Sequence, residues 1–129
     1  PMRNPRGQMR LRFNPLQPDP EALPPEQVHF ENIRIEPWPE GTKIRVLMEL
    51  TPFQSPPNLE VVITDTEGQE VTSAHIIENV DYRLVITLHL RRAPASPHYQ
   101  LTARLIYPDL GTVDERNLTF DLPPSPSQS

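Results

Sequence analysis

From position 28 onward, apolar and polar residues alternate with a period of two, and proline- or glycine-rich breaks interrupt the alternation at short intervals. Such a pattern specifies short, half-buried strands. It predicts a first strand over 28–36, with Phe30, Ile33 and Ile35 as its apolar residues. The odd spacing from Phe30 to Ile33 predicts a bulge near Glu31 and Asn32. The second strand, 43–51, turns Ile44, Val46, Met48 and Leu50 to one face, and the third, 58–65, does the same with Leu59, Val61 and Ile63. Thr66, Glu67, Gly68 and Gln69 read as a hairpin turn into a fourth strand over 70–77. The fifth, 82–91, is the most regular: Tyr82, Leu84, Ile86, Leu88 and Leu90 share one face, Arg83, Val85, Thr87, His89 and Arg91 the other. The sixth, 98–107, buries Tyr99, Leu101, Ala103, Leu105 and Tyr107, and the seventh, 115–122, buries Leu118, Phe120 and Leu122.

Seven short strands and no helical periodicity predict an all-β antiparallel sandwich over residues 26–123. Proline supports the order: the second, third, fifth and sixth strands contain none, as central strands require, because proline cannot donate to a ladder. The first 25 residues differ, holding Pro1, Pro5, Pro15, Pro18, Pro20, Pro24 and Pro25. That density predicts an extended, polyproline-like arm. Residues 124–129 read as a disordered tail.

The sixth strand carries Tyr99-Gln100-Leu101-Thr102-Ala103-Arg104-Leu105. Its Tyr-x-Leu-x-Ala-x-Leu rhythm resembles the corresponding strand of immunoglobulin-like and fibronectin type III-like domains. The resemblance extends over 26–123 and implies a seven-stranded immunoglobulin-like sandwich. It also implies that Tyr99 closes a tyrosine corner, its hydroxyl bonding nearby backbone. With no cysteine pair, and Trp38 between the first two strands rather than on the third, the chain is unlike antibody-type domains.

Composition narrows the chemistry. The 129 residues suit one domain, and the absence of cysteine excludes disulfides, thiolate metal sites and a cysteine nucleophile. No apolar run is long enough to cross a membrane as a helix, and no apolar stretch follows the first arginines as in a secretory signal, which favours a cytoplasmic setting. Eighteen prolines, four glycines and a single lysine, Lys43, fit a heat-stable chain. The net charge of −5 argues against nucleic acid as a partner. The charge is polarised: Arg3, Arg6, Arg10 and Arg12 outweigh Asp19 and Glu21, so the arm carries +2 and leaves −7 on the remainder.

No catalytic constellation emerges. The serines lie largely in proline-rich loops or the tail, without the glycines of a nucleophile elbow. The fourth and fifth strands pair in the fold the resemblance implies, which makes His75 and His89 neighbours with Glu78 and Asp81 nearby, but two imidazoles make a poor zinc site. Asp114 and Glu115 read as solvated turn residues. No enzyme activity, metal or cofactor is expected.

What remains is surface. Met9, Arg10, Leu11, Arg12 and Phe13 alternate apolar and basic, the pattern of a strand that adds to a sheet edge. Leu47 and Val85 face outward on one sheet, Val62 and Ile106 on the other. These nine residues are the candidate partner-binding set. The expectation is a non-enzymatic protein-binding or assembly module whose arm docks on a protein partner or a second copy, with no core position before residue 26. The alternatives are a carbohydrate-type ligand module using Trp38, Phe53 and Tyr107, or an accessory domain of a larger protein.

Overall fold

The structure, a computed structural model, describes residues 12–39, 42–90 and 97–122. Met9, Arg10, Leu11 and the 124–129 tail lie outside them. Seven strands follow in order: β1 (Phe30–Pro37), β2 (Lys43–Leu50), β3 (Asn58–Thr64), β4 (Glu70–Ile76), β5 (Arg83–His89), β6 (His98–Tyr107) and β7 (Gly111–Asp121). Among the described residues the helical content is one 3₁₀ turn, Pro25–Gln27. The strands form two antiparallel sheets, ordered β1-β2-β5 and β4-β3-β6-β7. The all-β sandwich read from the sequence is therefore present, and the strand positions agree closely. β7 begins four residues earlier than expected, at Gly111, whose φ of +79° suits the turn after Tyr107.

The core is one cluster in which the inward rows of β2, β3 and β6 meet. Ile44, Val46, Ile63, Leu101, Ala103 and Leu105 are fully enclosed. Each large aliphatic side chain so buried contributes about 1.5–3 kcal/mol before conformational entropy is counted. The bulge expected in β1 falls between Phe30 and Asn32. It leaves Glu31 without a partner on β2, while Phe30 stays opposite Leu50 and also bonds to β7. The Phe30 amide donates to Asp114 Oδ2 at 2.9 Å, and Arg116 Nη2 donates to the Phe30 carbonyl at 2.8 Å. Asp114 is thus a clasp between the sheets rather than a solvated turn residue.

The partition of strands corrects two expectations. β4 pairs with β3 and not with β5. The cause is the turn between β3 and β4: Gly68 donates to the Asp65 carbonyl at 3.0 Å, and Asp65 Oδ1 accepts from the Glu67 and Gln69 amides at 2.9 Å. So tight a turn returns β4 alongside β3. His75 therefore lies opposite Glu60, while His89 lies opposite Lys43 on the other sheet. β5 becomes an edge strand rather than a central one, which explains why Leu84 and Ile86 stay half-buried while the matching residues of β2 are enclosed.

The N-terminal segment supplies a third correction. Leu23 forms a parallel bridge with Phe53, donating to the Pro52 carbonyl and accepting from the Gln54 amide, each at 3.0 Å. The Phe13 amide donates to the Val80 carbonyl at 2.7 Å, and its ring stacks on Phe53 with centroids 6.1 Å apart. Phe53 in turn meets Tyr82 edge-on at 4.7 Å. Phe13 and Leu23 both pack against the core. Residues 12–25 are thus part of the domain.

These packing assignments predict that Leu101→Ala lowers unfolding free energy by about 2–5 kcal/mol, because it empties space under a central strand. Chemical denaturation measures the loss; a midpoint equal to the parent's contradicts the inward assignment of Leu101.

Candidate interaction surfaces

Cross-strand register decides which sequence-predicted surface residues meet. Leu47 and Val85 do: they are direct partners in the β2–β5 ladder, with Arg34 of β1 completing the row. Val85 is 54% exposed. In the next row Asn32, Glu49 and Arg83 lie side by side, and Arg83 Nε reaches Glu49 Oε2 at 3.1 Å. On the other flank Glu36 bonds Arg34 at 3.2 Å and Arg45 at 3.4 Å. The result is a small apolar spot with paired charges around it, in an open depression of about 170 Å³.

Val62 and Ile106 do not meet. Val62 lies opposite Ser73 and Thr102, and Ile106 opposite Asn58 and Thr112, so the two sit in separate rows of the four-stranded sheet. Polar residues dominate that face. His75, Glu60, Arg104 and Glu115 form an unbroken row across all four strands. Arg104 donates through Nη1 to Glu60 at 2.9 Å and through Nε to Glu115 at 3.0 Å. His75 Nε2 lies 3.7 Å from Glu60. The hydrogen bonds that Arg104 donates to Glu60 and Glu115 raise its own pKa, and the one to Glu115 holds that carboxyl below its ordinary range. Sequence reading missed this ladder because the residues are spread from 60 to 115; only the register of β4, β3, β6 and β7 aligns them.

Toward one end of the same sheet, Asp65, Thr66, His98, Tyr99, Gln100, Thr119 and Asp121 line a second open depression of about 330 Å³. His98 Nδ1 and Asp121 Oδ1 are 2.7 Å apart there.

Of the arm residues, Arg12 and Phe13 are described, and both contact their own domain. Arg12 makes an isolated antiparallel bridge with Asp81, and its guanidinium lies 3.5 Å from that carboxylate. The two side chains are 71% and 39% exposed, so the charge pair contributes little; the bridge and the Phe13 ring fix the position.

The aromatic residues weighed as a ligand platform are dispersed. Phe53 is wholly enclosed. Tyr107 is buried, and its hydroxyl donates to the Ser55 carbonyl at 2.7 Å. Trp38 holds Lys43 Nζ 4.4 Å from its ring centroid. Tyr99 is buried and stacks on Phe120 at 5.6 Å. The connection before it, where a tyrosine corner finds its acceptor, lies outside the described residues. Among the described residues no group of three or more histidine or acidic side chains is arranged to hold a metal, and no helix is long and apolar enough to cross a membrane.

This architecture recurs inside much longer enzymes. A glycosyl hydrolase family 2 member from Bacteroides cellulosilyticus matches 74% of the chain with a TM-score of 0.57 at 21% identity, using 15% of its own length. β-Glucuronidase 3 of Bacteroides uniformis matches 74% with a TM-score of 0.56 at 26% identity, using 12% of its length. A β-glucuronidase from Ruminococcus gnavus matches 74% at 0.52 and 16% identity, using 16%. The chain is therefore similar to one β-sandwich portion of these proteins and spans a small fraction of their length. No protein-family model matches it, and no curated protein does.

Burial pushes the Tyr107 hydroxyl up to about 12, above the ordinary value of 10. The raised pKa favours the neutral phenol in the folded state. Its contribution is complete below pH 10 and is lost as pH rises through about 12. Tyr107→Phe is expected to cost about 0.5–1.5 kcal/mol at neutral pH, by leaving the Ser55 carbonyl without its donor. It is also expected to flatten the alkaline loss of stability in the window from 10 to about 12. Denaturation midpoints at several pH values test both; an unchanged alkaline profile contradicts the assignment.

Proposed function

We propose that the chain is a non-catalytic accessory β-sandwich module that serves a larger protein or assembly by docking one sheet face on a folded partner. The observation that carries this reading is the match of 74% of the chain to 12–16% of three glycosidase chains. Those enzymes hold a sandwich of this kind as a minor part. The step from shared fold to shared role is analogy, since one superfold serves many functions. The site chemistry supports it: ion-paired rows on both outer faces favour recognition of a surface over bond-breaking. The docking face is the Leu47–Val85 spot, where the apolar centre supplies contact area and Arg34, Glu49 and Arg83 set orientation.

A second reading rests on the depression at Asp65, His98, Gln100, Thr119 and Asp121. Its donors and acceptors suit a hydroxyl-rich ligand of the carbohydrate type. The two readings separate in one experiment. The chain is incubated with p-nitrophenyl β-glycosides and, in parallel, titrated with D-glucuronic acid and D-galactose while amide NMR shifts are followed. The accessory reading expects no turnover and no saturable shifts. Hydrolysis contradicts it, and saturable shifts confined to residues 65, 98, 100 and 121 replace it with the ligand reading.

A further inference from the structure

We propose that the end of the sandwich carrying the β4–β5 turn is a second docking surface, at which Leu16, Ile77 and Val80 receive a protein partner that presents apolar side chains flanked by lysine or arginine. It is separate from the Leu47–Val85 face and does not depend on it.

The register gathers these side chains at one end. Phe30 lies opposite Leu50, Leu59 opposite Ile76, and Asn58 opposite Ile106, so the connections that follow β2, β4 and β6 leave the sandwich on the same side. The segment 12–25 is tied to that end, since the Phe13 amide bonds the Val80 carbonyl and the Leu23 amide the Pro52 carbonyl. Of the large apolar side chains exposed among the described residues, Leu16, Ile77, Val80 and Leu110 belong to this end, and Val85 to a sheet face. Scattered surface apolar residues are ordinary; their concentration at one end marks a contact surface.

The β4–β5 turn holds its apolar residues outward. Glu78 sits at φ +52°, a left-handed conformation that is costly for a residue with a side chain. Its amide donates to Asn58 Oδ1, and the Asn79 amide donates to the Pro57 carbonyl, each at 2.8 Å. The Asn79 side chain is buried, and its Nδ2 donates to the Asp81 carbonyl at 2.8 Å. The turn thus buries its polar residue and leaves Ile77 70% and Val80 40% exposed, the reverse of the order water favours. Leu16 is fixed in a similar way: Asn14 accepts from the Leu16 amide at 2.9 Å through Oδ1 and from the Gln17 amide at 3.1 Å through its carbonyl. A surface ordered before contact loses little entropy on binding. Charge selects the partner. The connections at this end hold Asp19, Glu21, Glu26, Glu78, Asp81 and Asp109 against Arg12, which already faces Asp81. A second copy docked end to end would set like charges against each other, so the complementary surface is a foreign and basic one.

The test uses the full chain and, as probe, a short amphipathic peptide of leucine and lysine, with a leucine–glutamate peptide of the same pattern as control. Amide NMR shifts follow both titrations. The lysine peptide is expected to give saturable shifts confined to residues 16–21 and 77–82, weakened by added salt. The glutamate peptide is expected to give none. Leu16→Ser and Ile77→Ser each replace an exposed side chain, so both are expected to fold as the parent does and to weaken binding about tenfold. Val85→Ser is expected to bind as the parent does. The proposal is overturned by the absence of saturable shifts, by shifts centred on residues 47 and 85, or by equal affinity in all three variants. Sedimentation of the chain alone that shows association abolished by Ile77→Ser overturns it too, because that result assigns the end to a second copy.

Discussion

Burial of the β6 row against the β2 row is the contact on which everything else depends. Leu101, Ala103 and Leu105 from one sheet and Ile44, Val46 and Met48 from the other lie in a single enclosed cluster. In a strand, facing one row inward forces the intervening row outward. The same six residues therefore dictate that Thr102, Arg104 and Ile106 meet solvent on one side, and Arg45 and Leu47 on the other. Surface chemistry here is a by-product of core register. The ladder from His75 to Glu115 exists because four strands agree on which residues are buried, and the Leu47–Val85 spot because β2 and β5 do.

A sandwich of three and four strands closes its sides unequally. On the β1–β7 side, the bulge leaves Glu31 without a cross-strand partner, and Asp114 and Arg116 hold the Phe30 amide and carbonyl. At one end, the 12–25 segment lays Phe13 and Leu23 against Phe53 and so shields a ring that would otherwise meet water. The β5 edge is the side with least closure among the described residues.

The sequence made the strands legible because each signal was local. The alternation in 43–51 and 98–107 stated both the strand and its buried face, and β2 and β6 bear this out. The bulge was legible from the Phe30–Ile33 spacing alone. Sheet membership was less so. The short Thr66–Gln69 turn already required β4 to follow β3, yet the resemblance to immunoglobulin-like domains drew β4 toward β5; local turn geometry was the better guide. The surfaces were half legible. Leu47 with Val85 needed only the β2–β5 neighbourhood, whereas Val62 and Ile106 share a sheet but fall in different rows, a register that no local pattern encodes. The role of Phe13 was hidden by the prolines around it: their density reads as an extended chain, and nothing in it reveals that the chain folds back to meet Phe53.

The central claim is that this N-terminal segment belongs to the domain it precedes. Denaturant unfolding of the full chain carrying Phe13→Ala, beside Leu16→Ala as control, tests it most directly. Phe13 packs on the core, whereas Leu16 is 87% exposed. The account predicts a loss of about 1–2 kcal/mol for Phe13→Ala, half or less of a full aromatic burial, and no measurable loss for Leu16→Ala. Equal midpoints for both variants and the parent would mean that residues 12–25 are an appendage, and would contradict the account.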